Sequence, residues 1–293
     1  MRVLTVAAAT IAVAFSAGAQ ADIFRPSMAD QARLGKQAAE QIRQKEKVLP
    51  DSDPRVRELR RLGAAVLKTI PQKELKDRPF EYTFDVIESK ELNAFALPGG
   101  PIFFYTGLLD KLKTEDEIVG ILAHEIVHVR NQHWASQYAD NLKRKLGIIV
   151  VFSVLNANSD ILNAADMLDD ILVGLSYSRK HEIESDTVGY DMMLQTGYHP
   201  AGMVDVFKIL NAAGGDCPPE WLSTHPDIRR RIADIEKRIA NEKRPLPKRK
   251  VRKVRTLASV NWHNGWPYLN DPPKSKSDDI LKKGSGGYSG VLA

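Results

Sequence analysis

Between residues 26 and 70, apolar side chains return every three or four positions: Leu34, Ala38 and Ile42, then Val56, Leu59, Leu62 and Val66. That spacing predicts amphipathic helices, and Pro50-Asp51-Ser52-Asp53-Pro54 predicts a break between two of them. Over residues 80–87 the period changes to two and the side chains become β-branched and aromatic, the pattern of a half-buried strand. A second strand signal covers residues 93–107, where Gly99-Gly100 turn the chain and Pro98 and Pro101 argue for a sheet edge. Thr114-Glu115-Asp116-Glu117 has the form of a capping box with an acidic first turn, so a helix starts there. Another helical stretch runs from Ser178 through Val188, Met192 and Met193.

The ends read differently. Arg2, an apolar run from Val3 to Phe15 and small residues closing on Ala19-Gln20-Ala21 predict a cleavable secretory signal over residues 1–21, a mature chain from Asp22 and a periplasmic location. That run is short of the roughly 20 residues a membrane span needs. The ten-residue apolar stretch over 146–155 is also too short to cross, and reads as a buried or site-covering helix. Residues 241–293 form a basic, proline-punctuated and then Gly/Ser-rich tail, expected to be partly disordered, in which Trp262, Trp266 and Tyr268 are candidates to dock back.

Composition narrows the chemistry. With 43% hydrophobic and 27% charged residues in 293, the chain is a globular protein rather than a disordered or collagen-like one. Its single cysteine, Cys217, excludes an intramolecular disulfide and every cysteine-rich zinc module, so a metal must sit on histidines and carboxylates. Of the net charge of +5, residues 243–255 supply eight basic side chains and no acidic one, which leaves −3 for everything else. A tail of that kind is able to meet an anionic membrane surface, whereas nucleic acid is not an expected partner of the acidic body.

About ten residues into the capped helix stands His124-Glu125-Ile126-Val127-His128, an HExxH sequence. Residues four apart on a helix differ by about 40° in direction, so both histidines can grip one Zn²⁺ while Glu125, beside them, takes a proton from water. Ile118, Ile121, Leu122, Ile126 and Val127 predict that this helix is largely buried, and burying two imidazoles and a carboxylate with no cation is costly. His133, five residues beyond His128, points roughly 140° away and is expected to be structural or to support a ligand from behind rather than to bind the metal. The third ligand must come from another element. Glu182 and Asp186 share a helix face: one closes the metal site and the other accepts a hydrogen bond from a ligand imidazole.

Four blocks in order, Asn93-Ala94-Phe95-Ala96-Leu97-Pro98-Gly99-Gly100 with Gly107, the HExxH, Ser178-Arg179-x-x-Glu182-x-Glu184-x-Asp186, and Thr224-His225-Pro226 with Arg231, resemble the zinc metallopeptidases of family M48. The resemblance covers roughly residues 27–240. It is of the HtpX and CAAX prenyl endopeptidase type, and resembles the soluble periplasmic BepA-like branch without its tetratricopeptide repeats. It implies an α+β, zincin-like, mostly helical domain over residues 22–240, with a small sheet whose edge strand borders the active site.

The resemblance further implies one Zn²⁺ per chain held by His124, His128 and Glu182, with Glu125 as general base. Asp186 and Arg231 would support the ligands, and Asn93, Ala94, Phe95 and Ala96 would pair with an extended substrate. His225 would lie near the metal, either stabilising the transition state or occupying the open position as a latch. The function so implied is an exported zinc endopeptidase acting on unfolded or misassembled envelope proteins. A zinc-bound chaperone or assembly factor with a latched, weakly proteolytic site is the alternative.

Overall fold

The structure is a computed structural model that describes residues 24–154, 171, 175–214, 219–252, 261–263 and 266–268. The expected signal segment 1–21 and Cys217 lie outside these residues, as do the side chains of 146–154 and of Trp262, Trp266 and Tyr268.

Two helices open the described chain. Helix α1 (Met28–Lys45) starts where the Ser27 hydroxyl accepts the Asp30 N–H, and α2 (Pro54–Leu67) starts where the Asp53 carboxylate accepts the Arg55 N–H, with Pro54 in the first turn. A short α3 (Gln72–Asp77) leads to a three-stranded mixed sheet: β1 (Thr83–Ile87), β2 (Ala94–Ala96) and β3 (Pro101–Tyr105), in the order β1-β3-β2. β1 runs parallel to β3, and β2 antiparallel to it. Gly99 and Gly100, at φ +80° and +130°, make the turn that returns β2 onto β3. The edge expected for this segment is β2. β3, by contrast, is central, and Pro101 is tolerated there because it is the first residue and contributes only its carbonyl, which accepts Leu97 N–H at 2.8 Å.

After α4 (Thr106–Lys111) comes α5 (Glu115–Arg130), whose capping box is complete: the Thr114 hydroxyl accepts Glu117 N–H, and Glu117 accepts Thr114 N–H at 2.8 Å. Every α5 residue from Glu115 to Val129 is buried, because α2, α7 (Arg179–Gln195), α8 (Ala201–Ala212) and the sheet surround it. Gly202 permits the close crossing of α8 on α5, since a Cβ there would stand 2.3 Å from the Asp116 carbonyl. One sheet face (Ala94, Ala96, Ile102, Phe104) joins α5 and α2 in the main core, while the other (Phe103, Leu97, Ile87) packs on α1 with Trp134 and Tyr177. The remaining elements are α6 (His133–Val154), α9 (Glu220–Thr224), α10 (Ile228–Ala240), β4 (Asn261–His263) and β5 (Trp266–Tyr268). Among the described residues no helix is long and apolar enough to cross a membrane.

The beginning of the basic run is a strap rather than a free tail. Glu115 N–H donates to Lys250 O at 2.7 Å, Lys250 N–H donates to Asp116 at 2.6 Å, and Arg252 N–H donates to Lys113 O. Arg249 pairs with Asp116 and Asp205, and Arg252 pairs with Glu58 at 2.6 Å with both side chains almost fully buried. Cationic side chains therefore lie against the acidic first turn of α5, whose partners are remote in sequence.

Candidate metal centre

Two helices supply the chemistry. α5 presents His124 and His128 on one face, and α7, started by the Ser178 hydroxyl accepting His181 N–H, presents Glu182 and Asp186 one turn apart. His124 Nε2 and His128 Nε2 are 2.9 Å apart, and Glu182 brings Oε2 to 3.6 Å from the first and Oε1 to 3.4 Å from the second. Asp186 Oδ1 lies 3.0 Å from His124 Nδ1. A carboxylate accepts and does not donate, so Nδ1 carries the proton and His124 Nε2 offers a lone pair to the cluster.

The loop between α9 and α10 and the first turn of α10 add two more groups. Asp227, at φ +61°, turns the chain so that His225 and Arg231 both reach inward. His225 Nδ1 stands 3.2 Å from His124 Nε2 and 3.1 Å from both Glu182 oxygens, while its Nε2 stands 3.5 Å from Glu125. Arg231 ties the two acids of α7 together: Nη1 lies 2.5 Å from Glu182, and Nε and Nη2 each donate to Asp186 at 2.7 Å. Phe207 lies under the guanidinium, its centroid 4.4 Å away.

Burial dominates the electrostatics. It pushes the Glu125 carboxyl up and the His128 imidazole well down, toward the neutral base that a metal ligand must be. Burial also pushes Glu182 and Asp186 upward, but His225 and Arg231 hold Glu182 well below the usual carboxylate range, and Arg231 lowers Asp186. His133 is outside the cluster: its Nδ1 faces His128 Nδ1 at 3.0 Å, it stacks on His181, and burial lowers its pKa to about 3.

These residues fit a divalent cation. Ligand atoms of His124, His128, Glu182 and His225 lie within 4.8 Å of one another, and all four residues are buried. Both Glu125 oxygens are buried beside them with no hydrogen-bond partner among the described residues, a costly state for a carboxylate unless something at the site uses it. Two imidazole nitrogens and a carboxylate are also a donor set that suits zinc.

Two aromatic side chains at the centre went unread in the sequence. Tyr177 stacks on His128 and Trp221 stacks on His225 with centroids 4.3 Å apart. The only local signal was position: Tyr177 precedes the Ser178 cap, and Trp221 stands four residues before His225.

An α+β fold that carries HExxH on a buried central helix, with acids on a second helix beside it, defines a zincin-like metallopeptidase. The family model described as Peptidase family M48 matches residues 56–239, more than half of the chain, and the chain belongs to that family. Mitochondrial metalloendopeptidase OMA1 of Arabidopsis thaliana is 33% identical over 146 residues, which covers 50% of this chain and 29% of that protein. Its Schizosaccharomyces pombe namesake is 28% identical over 230 residues, covering 76% and 62%. The beta-barrel assembly-enhancing protease of Escherichia coli (strain K12) is 29% identical over 194 residues, covering 61% and 40%. In each case the match covers less than two thirds of the relative's own length.

Proposed function

We propose that the chain is a zinc-dependent endopeptidase that cuts unfolded or misassembled polypeptides in the bacterial envelope, exported to the periplasm by residues 1–21. In this reading residues 22–240 are the peptidase domain and residues 241–252 strap its central helix. The observation that carries the reading is the convergence of His124 Nε2, His128 Nε2 and Glu182 next to a buried Glu125 that has no hydrogen-bond partner among the described residues. A role in envelope quality control is supported by the similarity to a protease named for β-barrel assembly.

His124, His128 and Glu182 would hold the ion, with Asp186 orienting His124 and Arg231 orienting both acids. When bound, a divalent cation supplies Lewis-acid activation of water and of the scissile carbonyl. Glu125, its carboxyl raised by burial, accepts the proton of the attacking water and returns it to the leaving amine. Ala94 and Ala96 on β2 hold the peptide extended, and His225 donates to the oxygen on which charge develops.

A second reading, a zinc-bound chaperone or assembly factor, is favoured by one observation: His225 Nδ1 sits inside the ligand set, where it latches the site. Casein digestion by wild type, Glu125→Gln and His225→Ala, with metal analysis of each, tests both readings. Turnover by zinc-replete wild type or His225→Ala that Glu125→Gln abolishes supports the protease. Zinc-replete protein that cuts nothing even as His225→Ala overturns it in favour of the chaperone. Stoichiometric zinc in Glu182→Ala removes Glu182 from the ligand set.

A further inference from the structure

Among the described residues, β2 has one edge unpaired. Toward β3, Asn93 O accepts Tyr105 N–H at 3.0 Å, Leu97 N–H donates to Pro101 O at 2.8 Å, and Phe95 stands opposite Phe103. Alternation along an antiparallel ladder then turns the N–H and C=O groups of Ala94 and Ala96 the other way, to the free edge. A peptide added there as a strand lays alternate side chains on the two faces of the sheet, and pockets for those side chains give specificity.

One face, with the Ala94 and Ala96 side chains, belongs to the core around α5. On the other, Phe95 stacks on Phe103 and leans on Tyr105, and there the structure has a cavity of about 130 Å³ that reaches across the edge to Leu175 and Thr224. Thr224 precedes His225, so the cavity adjoins the metal centre. Its volume of about 130 Å³ is well under the roughly 300–1,000 Å³ of small-molecule pockets and suits one long side chain.

The walls and the rim differ in chemistry. Ile42, Phe95, Leu175 and the Tyr105 ring are apolar, whereas Glu46 and Glu220 bring carboxylates and Lys45 is the lining's cation. Glu220 is held in place by the Asn93 amide, which donates to it at 3.1 Å. Burial raises the Tyr105 hydroxyl, and Glu91, Glu220 and Glu46 raise it further; Glu91 is itself raised by burial and then by Glu220 and Glu46. Two carboxylates, Glu46 and Glu220, thus line an apolar slot.

We propose that this cavity is a substrate subsite that selects an arginine or lysine side chain, its stem against Ile42, Phe95 and Leu175 and its cationic head against Glu46 and Glu220. The proposal deepens the endopeptidase reading and rests on it for the placement of the peptide along β2.

The test measures binding apart from turnover. Labelled decapeptides in which a single Arg moves along an otherwise uncharged sequence, with norleucine controls, are titrated against the full-length, metal-loaded Glu125→Gln protein by fluorescence anisotropy. At one position Arg is expected to bind about tenfold or more tightly than norleucine, as charge-assisted hydrogen bonds allow. The ratio is expected to fall below about threefold in the added Glu46→Gln/Glu220→Gln background, where Gln keeps an acceptor for Asn93. Glu220→Lys, in which Glu at that position should displace Arg as the preferred residue, guards against a folding artefact.

No position that discriminates, no measurable binding of any peptide, or discrimination that survives both carboxamide substitutions overturns the proposal. Wild-type digests of casein separate it from the reading beneath: discrimination in binding with no cleavage overturns the endopeptidase and keeps the subsite, and cleavage without discrimination does the reverse.

Discussion

The ring of Tyr177 lies on the ring of His128, centroids 3.8 Å apart and planes 22° from parallel. Its backbone N–H donates to Thr224 O, so the segment leading into α7 is tied to the loop that carries His225. Between them they close the centre: His124, Glu125, His128, Glu182 and His225 are all at most 1% exposed. Hydrolysis of a polypeptide at such a site requires that this cover move.

Truncating the cover tests that requirement. Replacing a packed aromatic side chain by alanine costs about 3–5 kcal/mol, and a third of that spent on local opening changes its equilibrium about tenfold. Tyr177→Ala is therefore expected to release bound metal to a chelator at least about tenfold faster than wild type, followed with a chromogenic zinc indicator. Tyr177→Phe keeps the stack and should release at the wild-type rate. Equal rates for all three proteins would show that Tyr177 does not gate the site.

Arg231 is the buried cation that makes Glu182 and Asp186 tolerable together, 2% exposed and in contact with both. Removing one partner of a buried ionic cluster leaves the others uncompensated, at about 3–5 kcal/mol. Arg231→Met is expected to lose that much stability in urea unfolding of the metal-free protein. Arg231→Lys should recover little, since an ammonium cannot fork between two carboxylates as a guanidinium does. Full recovery with Lys would reduce Arg231 to a point charge.

The Glu58–Arg252 pair measures the strap. Both side chains are at most 3% exposed, and Arg252 also donates to the carbonyls of Leu109 and Leu112 at the end of α4. Arg252→Met alone should destabilise by about 3–5 kcal/mol because Glu58 is left buried and unpaired. Adding Glu58→Met should recover part of that loss, which a double-mutant cycle reads as a coupling energy. Additive losses would mean that the strap is held by its backbone contacts alone.

Acid sensitivity has a defined contributor at the surface. The Arg130 hydrogen bonds hold the Glu74 carboxyl below its ordinary 4.5, against a smaller upward push from burial. A carboxylate depressed in the folded state adds stability above its unfolded pKa and loses it as pH falls through the folded one. The stability gap between wild type and Glu74→Gln should thus be constant above about pH 5 and shrink progressively below about pH 4.5, as read from urea midpoints across pH 3–7. A gap that widens on acidification would reverse the assignment.

Much of the scaffold could be read along the chain. The cap at Thr114, the burial of α5 and the shared face of His124 and His128 follow from contacts within one or two helical turns, where periodicity and capping chemistry are visible in order. The paired glycines likewise announced the turn that makes β2 an edge. The central place of β3 was not legible, since Pro101 looks the same whether its strand has one neighbour or two. The basic run reads as a partly disordered tail because Asp116 and Glu58, its partners, lie 134 and 194 residues away from Lys250 and Arg252, which they hold.

The same division runs through the metal centre. Helical geometry by itself dictated that two imidazoles share a direction with a glutamate between them, and that Glu182 and Asp186 share another, because a 3.6-residue turn leaves no alternative. Spacing left open which acid turns to which nitrogen. The packing of α7 against α5 decided it, with Asp186 on His124 Nδ1 and Glu182 among the Nε2 atoms. Tyr177, Trp221 and Arg231 joined the site from the loops and helix beyond, across 40 to more than 100 residues of chain, where no local rule records which side chains will meet.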